Sequence, residues 1–176
     1  MLLAEFRSQD MSPQKPMLHM VCGKIASGKS TLSAELACAP NTILVSEDAW
    51  LDALYGEQIQ DGADYLRYSA RLRTIMALHV TALLDAGLTV VLDFAANTLA
   101  QRRWMADIVR ASGAAHQLHY LDVADDTCLN RLRARNAEGS HAFAATEEQF
   151  RRFTAHFVPP TEDEGFTLVR HDGQAR

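Results

Sequence analysis

Apolar positions along this chain follow two alternating rhythms. Short, nearly continuous apolar runs occur at Met17–Cys22, Thr42–Val45, Leu88–Leu92, Gln117–Leu121 and Phe166–Val169. Each is too short for a helix and rich in the branched and aromatic residues that pleated strands favour, as strands buried on both faces would be. Between them apolar residues recur at three- and four-residue steps, the spacing of one helix face. That spacing predicts helices over Thr31–Ala37, over Ala49–Leu54 with Asp48 as N-cap, and over about 61–86. In the last, Tyr65, Leu66, Leu72, Ile75, Met76, Leu83 and Leu84 form the apolar set and Gly87 is the stop. Further helices are expected from Asn97 or Thr98 to Ser112-Gly113 and from Asp125 to about Asn136. A last one runs from Thr146, whose spacing to Gln149 is that of a capping box, to Phe157.

Strands alternating with helices predict an α/β fold with a parallel sheet flanked by helices on both faces. No internal repeat, low-complexity tract or linker interrupts the alternation. The expectation is one domain over residues 17–172, preceded by a mobile leader over residues 1–16, with a polar, frayed tail. Ligands of such sheets bind beyond the carboxyl ends of the strands. There the chain places its polar clusters: a loop after the first strand, Ser46 to Asp48 after the second, and Asp93 after the third.

Composition narrows the function classes. The net charge of −5 argues against a dedicated nucleic-acid binder. No apolar run approaches membrane-spanning length, and Glu5, Arg7 and Asp10 break any signal-peptide core, so the expected location is cytoplasmic. Cys22, Cys38 and Cys128 form no CxxC pair and read as reduced thiols.

The first loop carries the chemistry. Gly23, Lys24, Ile25, Ala26, Ser27, Gly28, Lys29, Ser30 and Thr31 match the phosphate-binding pattern G-x-x-x-x-G-K-[ST] at every position, between a predicted strand and a predicted helix. The glycines allow backbone N–H groups to turn inward on phosphate oxygens, and the helix N-terminus adds its positive end. Lys29 is expected to reach the β- and γ-phosphates, Ser30 to ligate Mg²⁺ and Thr31 to lie near the α-phosphate of a bound ATP.

Asp48, just after the second strand, is expected to accept a proton from an attacking hydroxyl, with Glu47 as its rival. Asp93, ending VVLD, sits where a Walker B carboxylate assists the metal or meets substrate. The next residue is Phe94, whereas motor ATPases usually carry a Glu there. Arg131 and Arg135 share a helix face and are expected to act as lid arginines on the transferring phosphoryl group, with Arg133 pointing elsewhere. Arg102 or Arg103 is a candidate substrate contact. Tyr65, Arg67, Tyr68 and Arg71 are candidates for the acceptor wall, and His141 lies beside the lid. His116 and His119 read as structural.

GKIASGKST, VSEDAW, TVVLDF and RLRARN together resemble the P-loop kinases grouped as zeta-toxin-like and chloramphenicol-phosphotransferase-like enzymes, relatives of polynucleotide kinase. The resemblance covers about residues 17–170. SEDAWLDALYG, HAFAATEEQF and FVPPTEDEGF further resemble a bacterial family of small ATP-binding proteins. The resemblance implies a three-layer, nucleoside-kinase-like P-loop NTPase that uses ATP and Mg²⁺ to phosphorylate a hydroxyl of a small molecule, with Asp48 as the family's acid. No residue matches the substrate pockets of those enzymes, and no antitoxin partner is evident. The alternatives are a nucleotide-binding regulatory module without phosphotransfer, a polynucleotide 5′-hydroxyl kinase and a nucleoside monophosphate kinase.

Overall fold

The computed structural model describes residues 15–138 and 145–173. The expected leader, apart from its last two residues, and the Gly139-Ser140-His141 loop lie outside the described residues.

Five strands, β1 (Met17–Cys22), β2 (Thr42–Ser46), β3 (Thr89–Ala95), β4 (Ala115–Asp122) and β5 (Leu168–Asp172), form one parallel sheet in the order β2-β3-β1-β4-β5. The helices are α1 (Lys29–Ala37), α2 (Glu47–Tyr55), α3 (Gly62–Asp85), α4 (Leu99–Ser112), α5 (Asp125–Glu138) and α6 (Glu147–Thr154). The expected α/β architecture is the observed one. Its central strands lose water from both faces: Leu18, Met20, Val21, Val90, Val91 and Leu92 are fully buried. One core packs β1, β3 and β4 against α3 and α4, with Leu72, Met76, Val80, Leu84, Met105 and Ile108. A smaller one holds Leu121, Val123, Cys128, Leu132 and Phe150 together, with Ile25 and Leu32 against it.

Several boundaries differ from expectation for identifiable reasons. Ser46, not Asp48, caps α2 by accepting from the Ala49 N–H, so Asp48 stands in the first turn with no capping duty. Helix α3 buries Ser69, Leu72, Met76, Val80 and Leu84, whereas Leu66 and Ile75 face outward at 63% and 55% exposure. The expected apolar face is therefore wider than the one used. Helix α6 ends at Thr154, after the expected capping box of Thr146 and Gln149, and Phe157 stacks on Tyr120 at 6.2 Å. Strand β5 begins at Leu168 and runs to Asp172, so Arg170, His171 and Asp172, expected in the polar tail, pair with β4. As an edge strand β5 needs no continuous apolar run.

His119 lies between His19 and His171, with ring nitrogens 3.0 Å apart on each side. Burial, and then the two neighbours, push its pKa down to about 4, so it is a neutral bridge across three strands. Cys22 and Cys128 are buried and Cys38 is exposed. Burial pushes the Cys22 thiol up to about 12 despite nearby Arg102 and Lys29, which leaves it inert.

Arg102 corrects the sequence reading. It shares the buried face of α4 with Met105 and Ile108 and is itself 1% exposed. Its guanidinium donates to both Glu164 carboxylate oxygens (2.5 and 2.9 Å) and to the Ala96 and Val158 carbonyls (2.9 and 2.8 Å). With its donors occupied inside the protein, it is a staple between the end of β3 and the segment leading to β5, not a substrate contact.

Replacing it leaves a largely buried carboxylate and two carbonyls without their donor. Arg102→Ala is expected to lose about 3 kcal/mol of stability, read from the urea midpoint. Burial works against the Glu164 carboxylate, yet the Arg102 and Thr161 hydrogen bonds hold its pKa below the ordinary 4.5. A depressed carboxylate pKa contributes stability above its unfolded value and loses it as pH falls through the folded one. The wild type therefore carries an increment of acid destabilisation below pH 4.5 that is smaller in Arg102→Ala, where only the Thr161 hydrogen bonds remain.

Candidate active site

The loop from Gly23 to Gly28 joins the buried end of β1 to the first turn of α1. Two residues take left-handed backbone, Ala26 at φ 59° and Gly28 at φ 104°. Gly23 is required for space: a Cβ there would lie 2.5 Å from Ser27 Oγ and 3.2 Å from both Cβ and O of Leu121. Gly23→Ala is expected to displace the loop at a cost of about 1–3 kcal/mol and to weaken ATP binding at least about tenfold, measured by calorimetry with a folded variant.

Lys29 lies deep in the loop, its ammonium donating to the carbonyls of Gly23 and Lys24, each at 2.8 Å. Burial lowers its pKa, and the charges of Asp93 and Asp48 oppose that shift. Lys24 turns away, pairing with Asp125 at the start of α5 and reaching the Val123 carbonyl at 3.3 Å.

Asp93 faces this lysine. Opposite Asp93 and Phe94 the register slips: Met20 pairs with Leu92 but Val21 pairs with Ala95. An irregularity of this kind turns side chains out of the regular alternation beside a loop. Burial raises the Asp93 pKa, with Lys29 pulling it down, Asp48 raising it, and Ser33 and Ser30 lowering it. Asp93 therefore lies within electrostatic reach of Lys29, Ser30 and Asp48.

Asp48 reaches the same place from the other side of the sheet's end. Ser46 is in register with Asp93, so the first turn of α2 stands directly over β3. Asp48 accepts from Tyr65 Oη at 3.3 Å. Its rival Glu47 is 2% exposed and held internally. It pairs with Ser69 Oγ and accepts from Arg73 Nε and Nη2 at 3.1 and 2.9 Å. Glu47 and Asp48 both border the cavity beside the loop, but Glu47 is buried and ion-paired with Arg73 through Oε1, whereas Asp48 is half-buried.

Arg131 and Arg135 line the cavity from α5, while Arg133 faces solvent and pairs with Glu147. Arg131 Nη1 donates to the Ser27 carbonyl at 3.2 Å. Among the described residues, Ser27 Oγ and Arg135 Nε are buried without a hydrogen-bond partner.

The cavity bounded by these groups measures about 1550 Å³. That exceeds the roughly 300–1,000 Å³ of a pocket for one drug-sized ligand. The half-buried Lys29 and the unpartnered Ser27 Oγ of the loop, with the Arg135 Nε of α5, fit a nucleoside triphosphate. Ser30 and Asp93 suit Mg²⁺, which needs few protein ligands when phosphates supply the rest. Among the described residues no group of three or more His, Cys, Asp or Glu forms a metal cage of its own.

Two site residues escaped the sequence reading. Asn97 Oδ1 accepts from the Gly23 N–H at 3.0 Å, tying the loop to the start of α4. Gln101 Oε1 fixes that turn, accepting from the Asn97 and Thr98 N–H groups at 2.9 and 3.0 Å. Their position just past the carboxyl end of β3 was the available signal. Of the expected acceptor wall, Tyr65 lines the cavity but Arg67, Tyr68 and Arg71 do not. Those three cluster on another face of α3, where Tyr68 stacks on Tyr55 at 4.3 Å and lies 4.7 Å beneath the Arg67 guanidinium. Arg103 is exposed and away from the cavity.

Among the described residues no helix is long and apolar enough to cross a membrane. No curated protein sequence matches the chain significantly. Solved structures resemble it at the level of fold. A protein of Chloroflexus aurantiacus J-10-fl described as a "putative kinase" superposes with a TM-score of 0.71 at 21% identity, covering 90% of this chain and 86% of that one. Kti12 of Chaetomium thermophilum, in complex with ADP-AlF3, gives 0.68 at 13% identity and 88% coverage of each chain. A sugar kinase of Janibacter sp. HTCC2649 gives 0.65 at 15% identity, covering 92% and 87%. The family model for an AAA domain (AAA_33) matches residues 18–160. With that match spanning the phosphate loop, both acidic strand ends and the arginines of α5, the chain belongs to this AAA domain family and carries a P-loop on a kinase-like fold.

Proposed function

We propose that the protein is an ATP-dependent phosphotransferase that moves the γ-phosphoryl group to a hydroxyl of a small molecule, with residues 17–172 acting as one domain and its affinities lying with the zeta-toxin-like and chloramphenicol-phosphotransferase-like kinases. The observation that carries this reading is the convergence of Lys29, Asp93 and Asp48 at one end of the sheet, while the neighbouring Glu47, though it borders the same cavity, is buried and ion-paired with Arg73. A nucleotide-binding module has no need of a second carboxylate here without a metal or capping duty.

In this reading the loop N–H groups and Lys29 hold the triphosphate, and Asp48 orients the acceptor. The acceptor oxygen attacks the γ-phosphorus as Asp48 takes its proton, and the bond to the β-phosphate oxygen breaks to release ADP. Arg131 and Arg135 neutralise charge spreading over the transferred group and exclude water. Ser30 and Asp93 would be the residues to hold Mg²⁺, which would supply further charge neutralisation when bound. The acceptor lies against α3 and the start of α4, near Tyr65, Ser69 and Gln101.

The test is ADP release from ATP across a panel of hydroxylated compounds: nucleosides, sugars, sugar nucleotides, aminoglycosides, chloramphenicol, nucleoside monophosphates and a 5′-hydroxyl oligonucleotide. Stimulation by one small-molecule class supports the reading and names the substrate. Stimulation by the oligonucleotide alone assigns a polynucleotide kinase instead. Tight ATP binding with no stimulation by any compound favours a regulatory module.

A further inference from the structure

Helix α3 presents three polar side chains at four-residue intervals, Tyr65, Ser69 and Arg73, on the face that lines the cavity. Residues so spaced lie one above another. The stripe grips two consecutive acids of α2. Ser69 Oγ and the Arg73 guanidinium hold Glu47, and Tyr65 Oη donates to Asp48 Oδ1 at 3.3 Å. Glu47 is buried and receives the Ser69 contact and both Arg73 contacts on Oε1, so it fixes the first turn of α2 against α3. Arg73 is braced in turn, its guanidinium 5.8 Å above the Trp104 ring of α4. Asp48, one residue on, is gripped through one carboxylate oxygen and keeps the other for a ligand in the cavity.

We propose that Tyr65 is a positioning residue that holds Asp48 by Oδ1, so that Oδ2 is the oxygen presented to the acceptor hydroxyl. The inference rests on Asp48 being the base. A carboxylate on a helix's first turn can rotate about its terminal torsion, which is broad and roughly two-fold. A hydrogen bond from a rigid ring, here at 3.3 Å, biases that rotation toward one orientation. The phenol is a suitable donor because it keeps its proton. Burial, and then the charges of Glu47 and Asp48, push its pKa well above the ordinary value, so it does not compete as a base. The stripe thus divides two adjacent acids into an anchor and a directed carboxylate.

The experiment uses the full chain labelled with carbon-13, in which the Asp48 carboxyl resonance is assigned by its loss in Asp48→Asn. In Tyr65→Phe that resonance is expected to move while the Glu47 carboxyl does not. The turnover number for ATP is expected to fall about ten- to a hundredfold, the range in which small misplacements act. The KM for ATP is expected to stay within about twofold, because the substitution leaves the side chains and backbone of the phosphate loop in place. An unmoved Asp48 resonance overturns the contact. A moved resonance with unchanged turnover overturns the positioning role. Full turnover in Asp48→Asn is a different result, the failure of the base assignment itself. If Tyr65→Phe does not fold, the contact is read from the other side: the Tyr65 ζ-carbon resonance moves in Asp48→Asn, and its constancy overturns the proposal.

Discussion

Lys29→Ala is expected to lower ATP turnover about a thousandfold, with most of the loss appearing as weakened nucleotide affinity. Lys29 is the half-buried cation of the phosphate loop, and its ammonium rests on the Gly23 and Lys24 carbonyls at 2.8 Å. A triphosphate arriving in the loop would find that cation already placed on two carbonyls, so little reorganisation opposes the new contact. Removing one preorganised charge at such a site costs about 10²–10³ in rate. The loss is compounded here because Asp93 and Asp48 would then face the phosphates with no cation between them. Burial lowers the Lys29 pKa below 10.5 in the free protein, against the opposing pull of Asp93 and Asp48. The charge is therefore lost as pH rises through a value below that of an ordinary lysine. ATP affinity is expected to decline on the alkaline side, and titration calorimetry across pH should show a decline in the wild type that Lys29→Ala lacks.

Asp48→Asn is expected to separate binding from chemistry. Asparagine keeps the shape and can still receive the Tyr65 hydroxyl, so the first turn of α2 and its Glu47–Arg73 anchor are preserved. What disappears is a group able to take a proton, and positioned general bases contribute about 10²–10⁴-fold. The KM for ATP should stay near the wild-type value, because the loop contacts are intact. Turnover limited by Asp48 should instead collapse. The complementary variant, Glu47→Gln, would disturb the anchor and lower stability as well. The pair of variants therefore tells a base from a brace.

How far the sequence reaches is clearest at these residues. The phosphate loop was legible because its chemistry demands particular residues at fixed spacing, and the alternating strands and helices were legible because burial on two faces leaves a continuous apolar run. Arg102 was misread for an equally physical reason. An arginine near a helix start looks solvated until its register with Met105 and Ile108 is noticed, and its partner Glu164 lies 62 residues away, beyond any local pattern. The same distance problem hid the Asn97 contact with Gly23, which bridges 74 residues. Edge pairing concealed the true extent of β5, since hydrogen bonds to β4 hold Arg170 and Asp172 in a strand with no apolar signal. Asp48 and Glu47 were adjacent candidates in the sequence. Only the packing of α3 separates them, because Ser69 and Arg73 engage one and Tyr65 the other.

The central claim is transfer of the γ-phosphoryl group from ATP to an acceptor hydroxyl under the control of Asp48. Its most direct measurement is the fate of the γ-phosphorus label when wild type and Asp48→Asn are incubated with labelled ATP and the pooled hydroxylated compounds, with ATP affinity measured in parallel. The account predicts a labelled phosphomonoester with the wild type, little or none with Asp48→Asn, and similar ATP affinity for both. Label recovered only as inorganic phosphate, at equal rates in the two proteins, would contradict it.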